Sequence, residues 1–556
     1  MTPSAHVDTF PRDNLPPREE WPDFLFTLPE LAYPARINCA RELIDRWVET
    51  GGGEHPCLVA PSPSAGGAAA TESWSYAELA WRVNRIANVL TRELGLVPGN
   101  RVLLRGPNSP MMVAAYFAVI KAGGVVVATM PLLRAKEIAY PLGKAKIALA
   151  LCDHRLAEEM EKARAAAPDL RRVVYWGSGV PDALEALMAK QGYESFPACD
   201  TAADDVCLIA FTSGTTGEPK GTMHFHRDIL ATCDSYGRHV LRAAPSDRFV
   251  GSPPLAFTFG LGGLVLFPLR IGAAAILVER TTPDDLLAAI SGLRATVCFT
   301  APTAYRAMLP RLAQYDISSL RKCVSAGEAL PKATFEAWEQ ATGLKILDGI
   351  GSTEMLHIFI GSPEEAIRPG ATGRPVPGYE ARVVDAAGRE LPPGTLGRLA
   401  VRGPTGCRYL ADPRQRQYVE GGWNITGDTY VMDADGYFFY QARSDDMIVS
   451  SGYNIAGPEV EAALLTHAAV LECGVVGAPD PERGQVVKAY VVLRAGQSGD
   501  AALTKMLQDH VKAAIAPYKY PRAVEYVAAL PRTQTGKLQR FALRRMAEDA
   551  ARRLAS

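Results

Sequence analysis

The sequence predicts an α/β fold: a large N-terminal domain of doubly wound α/β subdomains plus a small β subdomain, followed by a small α+β C-terminal domain. Three observations lead there. The chain has 556 residues, well past the roughly 250–300 at which one hydrophobic core stops growing. Through the first two thirds, short β-branched runs alternate with amphipathic helical ones, the order expected of parallel sheets covered by helices. Near residue 378 the texture changes to short strand-like runs between turn residues, and beyond 443 to a mixed pattern. The expected division is 1–443, with its β-rich part at about 378–443, and 444–556.

Each element has its own warrant. Ser75-Tyr76-Ala77-Glu78 has capping-box spacing and opens a helix with Leu79, Val83, Ile86 and Leu90 on one face. A strand at 102–104, a helical stretch at 111–121, Gly123-Gly124 and the β-branched run 125–127 then read as a βαβ unit. Further strands are expected at 147–152, 206–211, 274–278 and 297–300, and β-subdomain strands at 381–385 and 396–402. In the C-terminal domain, 460–465 and 504–514 read as helices and 470–476 and 489–493 as strands. Residues 60–70 are of low complexity and read as a surface loop.

Composition narrows the function. With 59 Lys and Arg against 60 Asp and Glu, there is no electrostatic footprint for nucleic acid or a membrane surface, so small-molecule partners are favoured. Ten cysteines are scattered singly from Cys39 to Cys473 with no C-x-x-C pair; they read as free thiols in a reducing compartment rather than a zinc or redox centre. The N-terminus has no basic region followed by an apolar one, and the apolar stretch 255–269, interrupted by glycines, falls short of a membrane span. A cytoplasmic monomer or homodimer is expected.

The most informative segment is TSGTTGEPKG at 212–221, directly after the strand at 206–211. Backbone N–H groups of Thr212, Ser213, Gly214, Thr215, Thr216 and Gly217 can turn inward on phosphate oxygens while Lys220 neutralises charge. It is not a Walker A loop, because the lysine follows Glu-Pro and precedes Gly221. Elsewhere, Glu354 follows a Gly-Ser-Thr turn, where a carboxylate suits a Mg²⁺ site completed by water and phosphate oxygens. Asp428 follows Thr-Gly at an expected strand end, where its two oxygens can accept from both ribose hydroxyls. Lys537 by itself reads as a solvated lysine.

SAGEALP at 325–331, DGIGSTEM at 348–355, TGD at 426–428, RSDDMI at 443–448 and PRTQTGKLQR at 531–540 follow in order. With the phosphate loop, they make a chain that resembles the adenylate-forming superfamily of acyl-CoA synthetases, peptide-synthetase adenylation domains and firefly luciferase. The resemblance implies ATP, Mg²⁺ and coenzyme A. It implies a mobile C-terminal domain turning about Asp445, and makes Lys537 the lysine that bridges substrate carboxylate and α-phosphate. Lys537, Lys220, Glu354 and His357 form the implied catalytic set. Nucleotide contacts fall on the phosphate loop, Gly327, Glu328, Asp348, Gly349, Ile350, Gly351, Ser352, Thr353, Asp428 and Arg443. Gly452, Tyr453 and Lys519 are candidates for coenzyme A.

Within that superfamily, DGIGSTEMLHIFI at 348–360 is similar to benzoate and 2-aminobenzoate CoA ligases. Ile350 stands where many members have Tyr, so an aliphatic contact replaces adenine stacking, and His357 neighbours the bound carboxylate or ring in the resembling enzymes. The segment PPLAFTFGLGG at 253–263, with Phe257, Phe259 and several glycines, suits a flat slot for an aromatic ring. The expected substrate contacts are Ala256, Phe257, Thr258, Gly351, His357 and Ile358, with the Thr258 hydroxyl positioned to meet an ortho substituent. His224 and His226 form an H-x-H with no second ligand cluster and read as structural. Two other readings stay open: an enzyme that loads a carrier protein, and a binding protein without catalysis.

Overall fold

Two mostly parallel sheets organise the large N-terminal region of the computed structural model, which describes residues 2–61, 71–212, 219–443, 446–450, 453–480, 484–515, 517–533 and 536–555. The first sheet has the spatial order Arg172–Trp176, Leu149–Asp153, Arg101–Arg105, Val125–Thr129, Val206–Phe211, Gly221–Phe225, and only its last pair is antiparallel. The second is parallel through its centre, from Ile346–Gly351 across Lys322–Ser325, Val297–Thr300, Arg248–Gly251 and Ala274–Ile276 to Pro56–Pro61. Thr71–Ser75 closes one edge; Ile358–Gly361 and Arg374–Pro375 close the other, all antiparallel.

Strands covered on both faces need apolar side chains on both, which is why Val206–Phe211 and Val297–Thr300 read as unbroken apolar runs. The helix Tyr76–Asn88 begins at its expected box: Ser75 Oγ accepts the Glu78 N–H at 3.2 Å, and Glu78 Oε2 accepts the Ser75 N–H at 2.8 Å. Pro110–Lys121, apolar on every side, is buried on almost every side. Leu58, Leu104, Phe117 and Phe299 belong to one continuous core, so the two sheets and the loops at their ends are held in fixed relation.

A smaller antiparallel sheet follows, made of Glu380–Val384, Leu396–Arg402, Trp423–Met432, Val419–Glu420 and Phe438–Arg443. The last sheet joins Ile448–Ser450, Tyr453–Ile455, Val470–Asp480, Gly484–Leu493 and Ala523–Tyr526. Helices Gly457–Leu465 and Ala501–Ala514 cover it around Val460, Leu464, Val475, Val491 and Leu507.

Two expectations change. Thr426-Gly427-Asp428 does not end a strand: Trp423–Met432 runs through it, Gly427 takes φ +77° and the ladder skips between Thr429 and Tyr430. The turn-like signature therefore marks a kink inside a strand. Of the expected loop at 60–70, Ala60 and Pro61 are still strand, and 62–70 lie outside the described residues. Among the described residues no helix is long and apolar enough to cross a membrane.

Candidate active site

The hairpin Val206–Phe211/Gly221–Phe225 presents the glycine-rich connection. Its base is closed by two bonds: the Thr212 N–H donates to the Lys220 carbonyl at 2.9 Å, and the Lys220 N–H to Thr212 Oγ1 at 3.1 Å. Ser213, Gly214, Thr215, Thr216 and Gly217, the expected cradle, lie outside the described residues.

Lys220 points at Glu354, with Nζ 3.8 Å from Oε1. Sequence reasoning missed the group that holds this pair. The Tyr409 hydroxyl donates to the same oxygen at 2.5 Å, and Lys220 Nζ lies 4.7 Å from the Tyr409 ring centre. One buried carboxylate oxygen thus meets a phenol and an ammonium. Burial and the neighbouring Glu354 charge push the Tyr409 pKa up, so the phenol stays a donor. Tyr409 is carried beside the edge strand, where the Met223 N–H donates to the Arg408 carbonyl and the Leu410 N–H to the Gly221 carbonyl, both at 2.8 Å. Behind it, the fully buried Arg408 pairs with the fully buried Asp228, its guanidinium 3.9 Å from the Phe225 ring centre. His224 Nε2 donates to the Thr353 carbonyl at 2.8 Å, a structural role as expected.

Asp348, Gly349, Ile350 and Gly351 belong to the strand Ile346–Gly351, and Ile358 begins its antiparallel return. The turn between them carries Ser352, Thr353, Glu354 and His357. It is tight: a Cβ on Gly351 would stand 2.6 Å from the His357 carbonyl oxygen, and Leu356 adopts φ +70°, a left-handed conformation costly for a branched side chain. Ser352 Oγ accepts the Met355 N–H at 3.2 Å and lies 3.3 Å from the Tyr418 hydroxyl. Burial pushes the Asp348 pKa up to about 8. Its Oδ1 meets no hydrogen-bond partner among the described residues.

Phe259 of the aromatic segment and His357 come together. The imidazole, 3% exposed, packs against Phe267, Tyr236 and Phe259 with ring centres 4.6, 5.5 and 5.6 Å away. Burial lowers its pKa to about 3, with the Phe259 backbone opposing the shift. The ring is therefore neutral, and neither nitrogen meets a partner at hydrogen-bonding geometry among the described residues. Glycines make this approach possible: a Cβ on Gly262 would stand 2.2 Å from His357 Cδ2, and one on Gly263 2.5 Å from Phe299 Cδ1. Thr258 is buried at the start of Thr258–Leu261, and Ala256 and Phe257 are half-buried beside it.

In the C-terminal region, Lys537 Cε lies 3.4 Å from where a Cβ of Gly327 would be. Gly327 itself has φ +91°. Lys537 is crowded by protein yet open to solvent. Desolvation holds its pKa below the usual lysine value, Arg443 acts in the same direction, and Glu328 and Asp428 oppose it. Burial raises the Glu328 pKa; Arg532, from the same motif as Lys537, lies 3.8 Å from that carboxylate and 3.0 Å from Glu472. Asp428 sits opposite Arg443 in the ladder, their charged atoms 3.7 Å apart.

The coenzyme A assignments fare differently. Lys519 is not an open cation: its ammonium contacts both Glu459 oxygens at 2.6 and 2.7 Å, so its charge is matched inside the C-terminal region. Tyr453 starts the strand Tyr453–Ile455. Gly452 and Asp445 lie outside the described residues.

The family model for the AMP-binding enzyme matches residues 44–409, and that for the AMP-binding enzyme C-terminal domain matches residues 459–537. A benzoate–CoA ligase of Thauera aromatica is 38% identical over 524 residues, covering 93% of this chain and 98% of the relative. The crystal structure of the anthranilate CoA ligase AuaEII with anthranoyl-AMP superposes with TM-score 0.88 at 35% identity, over 94% of this chain and all of that one. A benzoate CoA ligase from Burkholderia xenovorans LB400 superposes with TM-score 0.82 at 34% identity, over 91% of this chain and all of that one. The ordered motifs, the fold and these matches agree: the chain belongs to the AMP-binding enzyme family, the adenylate-forming enzymes, and is an acid–thiol ligase that works with ATP, Mg²⁺ and coenzyme A.

Proposed function

We propose that this ligase activates an aromatic carboxylic acid, with 2-aminobenzoate the leading substrate, as an acyl-adenylate and then transfers the acyl group to the thiol of coenzyme A. The observation that carries the reading is the glycine-lined aromatic enclosure of neutral His357, one wall of which is Phe259, the residue that follows the buried Thr258. Similarity to an enzyme solved with anthranoyl-AMP supports it. Aromatic side chains and glycines are the lining a planar acid favours, and a neutral imidazole whose nitrogens meet no partner among the described residues can accept from or donate to a substrate polar group without adding charge.

A carboxylate approaching the α-phosphorus of ATP brings anion to anion, so the barrier is lowered chiefly by positioned cations and donors. In this reading Lys537 bridges the two reacting groups as pyrophosphate leaves, and Lys220 covers phosphate charge. Glu354, a hard oxygen donor beside the phosphate loop, fits a Mg²⁺ completed by water and phosphate oxygens, which when bound would neutralise phosphate charge. Asp428 and Arg443 hold the ribose, while Gly327, Glu328 and 348–353 take the rest of the nucleotide. The adenylate is a mixed anhydride, so a thiolate can attack its carbonyl with AMP as leaving group. Residues 444–556 then turn about Asp445 to exchange Lys537 for the thiol channel.

The test offers benzoate, 2-aminobenzoate, salicylate, phenylacetate and a medium-chain fatty acid, each with coenzyme A, and measures AMP release. The aryl acids should dominate, 2-aminobenzoate leading, and Thr258→Ala should shift the 2-aminobenzoate to benzoate ratio of kcat/KM several-fold. An unchanged ratio rejects the role of Thr258; preference for the fatty acid rejects the aryl assignment.

A further inference from the structure

His226 has companions that its sequence neighbourhood hides. Cys39, from the N-terminal segment, and Cys207, from the strand Val206–Phe211, place their sulfurs so that these and a His226 ring nitrogen all lie within 4.8 Å of one another. All three residues are fully buried. His226 Nδ1 lies 3.3 Å from Cys39 Sγ and accepts the Cys39 backbone N–H at 3.2 Å. That bond puts the ring proton on Nε2 and engages the Nδ1 lone pair with a backbone N–H that a bound ion would replace. A tetrahedral ion bound at about 2.3 Å to sulfur and about 2.0 Å to nitrogen separates its ligands by about 3.5–3.8 Å, within the observed spread. The buried Tyr116 hydroxyl meets no hydrogen-bond partner among the described residues.

A buried free cysteine is ordinarily a small apolar side chain. Two of them converging on an imidazole nitrogen make a ligand set. We propose that Cys39, Cys207 and His226 form a buried site for zinc(II) or a cation of the same borderline-soft class, distinct from the adenylation centre. Binding displaces two thiol protons, and Nδ1 exchanges its backbone N–H for the ion. The ion would tie the N-terminal segment to both strands of the hairpin that carries the phosphate loop, since Cys207 lies on one strand and His226 directly follows the other. Its role is structural, and nothing in it rests on which acid the enzyme activates.

Because no part of the site reaches the surface, the ion must enter as the chain folds. Tag-free full-length protein is therefore made two ways: expressed with zinc in the medium, and denatured under reduction then refolded with zinc. Both are dialysed against a chelator and analysed by elemental mass spectrometry. The wild type should retain about one zinc per chain, and Cys39→Ser and Cys207→Ser, checked for folding by circular dichroism, should each retain less than about a tenth of that. Refolding the wild type with cobalt(II) should give thiolate-to-metal charge-transfer absorption, a readout that stands even if the variants misfold. The proposal is overturned if the wild type holds no zinc by either route, if folded variants keep the wild-type ratio, or if peptide mapping finds a Cys39–Cys207 disulfide instead of metal.

Discussion

Tyr409→Phe isolates one atom of the candidate site. The hydroxyl donates to Glu354 Oε1 at 2.5 Å. The ring, 4.7 Å from Lys220 Nζ and 5.7 Å centre to centre from Tyr418, is unchanged by the substitution. A hydrogen bond to a charged group contributes about 1.5–3 kcal/mol, equivalent to about 10- to 150-fold in rate when the bond supports the reacting arrangement. Without it, Glu354 keeps Lys220 as partner but loses the group that fixes its rotamer. The assay is ATP–pyrophosphate exchange at saturating acid across a Mg²⁺ series, with a thermal melt to confirm folding. We expect kcat/KM for ATP to fall by about 10- to 150-fold while the melting temperature moves by only a few degrees. Exchange within about twofold of wild type would refute the view that the phenol holds the glutamate for chemistry.

Three other perturbations test separate steps. Lys537→Ala should lower pyrophosphate exchange by about 10²–10³-fold, the usual cost of removing one positioned donor, while thioester formation from supplied acyl-adenylate survives; equal loss of both steps contradicts a role confined to adenylation. Asp228→Ala leaves Arg408 buried without its carboxylate and should destabilise the fold by about 3–5 kcal/mol; an unchanged urea midpoint would show that the pair is dispensable. Asp348 has its pKa raised from 3.8 to about 8, so between those values the folded chain keeps a proton that the unfolded chain releases, and stability falls as pH rises. Asp348→Asn removes that dependence and should gain more stability near pH 7.5 than near pH 4, measured by thermal melts of the free enzyme; a pH-independent gain contradicts the buried-acid assignment.

Local chemistry was legible wherever one segment contained it. The capping box at Ser75 and the strand Val206–Phe211 are short-range features, and the structure reproduces them. The motif turn at 352–357 was legible for the same reason. Tyr409 was not, because it reaches Glu354 from 55 residues away and nothing around it marks a phenol as a carboxylate's partner. Cys39 and His226 are 187 residues apart; a spacing rule for metal ligands sees only one chain segment at a time. Thr-Gly-Asp has turn composition and so reads as a strand end, whereas the glycine's positive φ is absorbed as a kink at which the register shifts against both neighbouring strands and pairing resumes beyond it. Phe267 and Phe299 read as ordinary apolar residues until the glycines at 262 and 263 brought His357 against them.

In the proposed reaction, lysines, a carboxylate and a glycine-rich loop let two anions meet at the α-phosphorus of ATP. Incorporation of labelled pyrophosphate into ATP measures that step with no thiol present. With Mg²⁺ and 2-aminobenzoate, the wild-type chain should exchange label at a rate that depends on the acid. A folded chain that exchanges no label with any aromatic or aliphatic carboxylic acid would contradict the account.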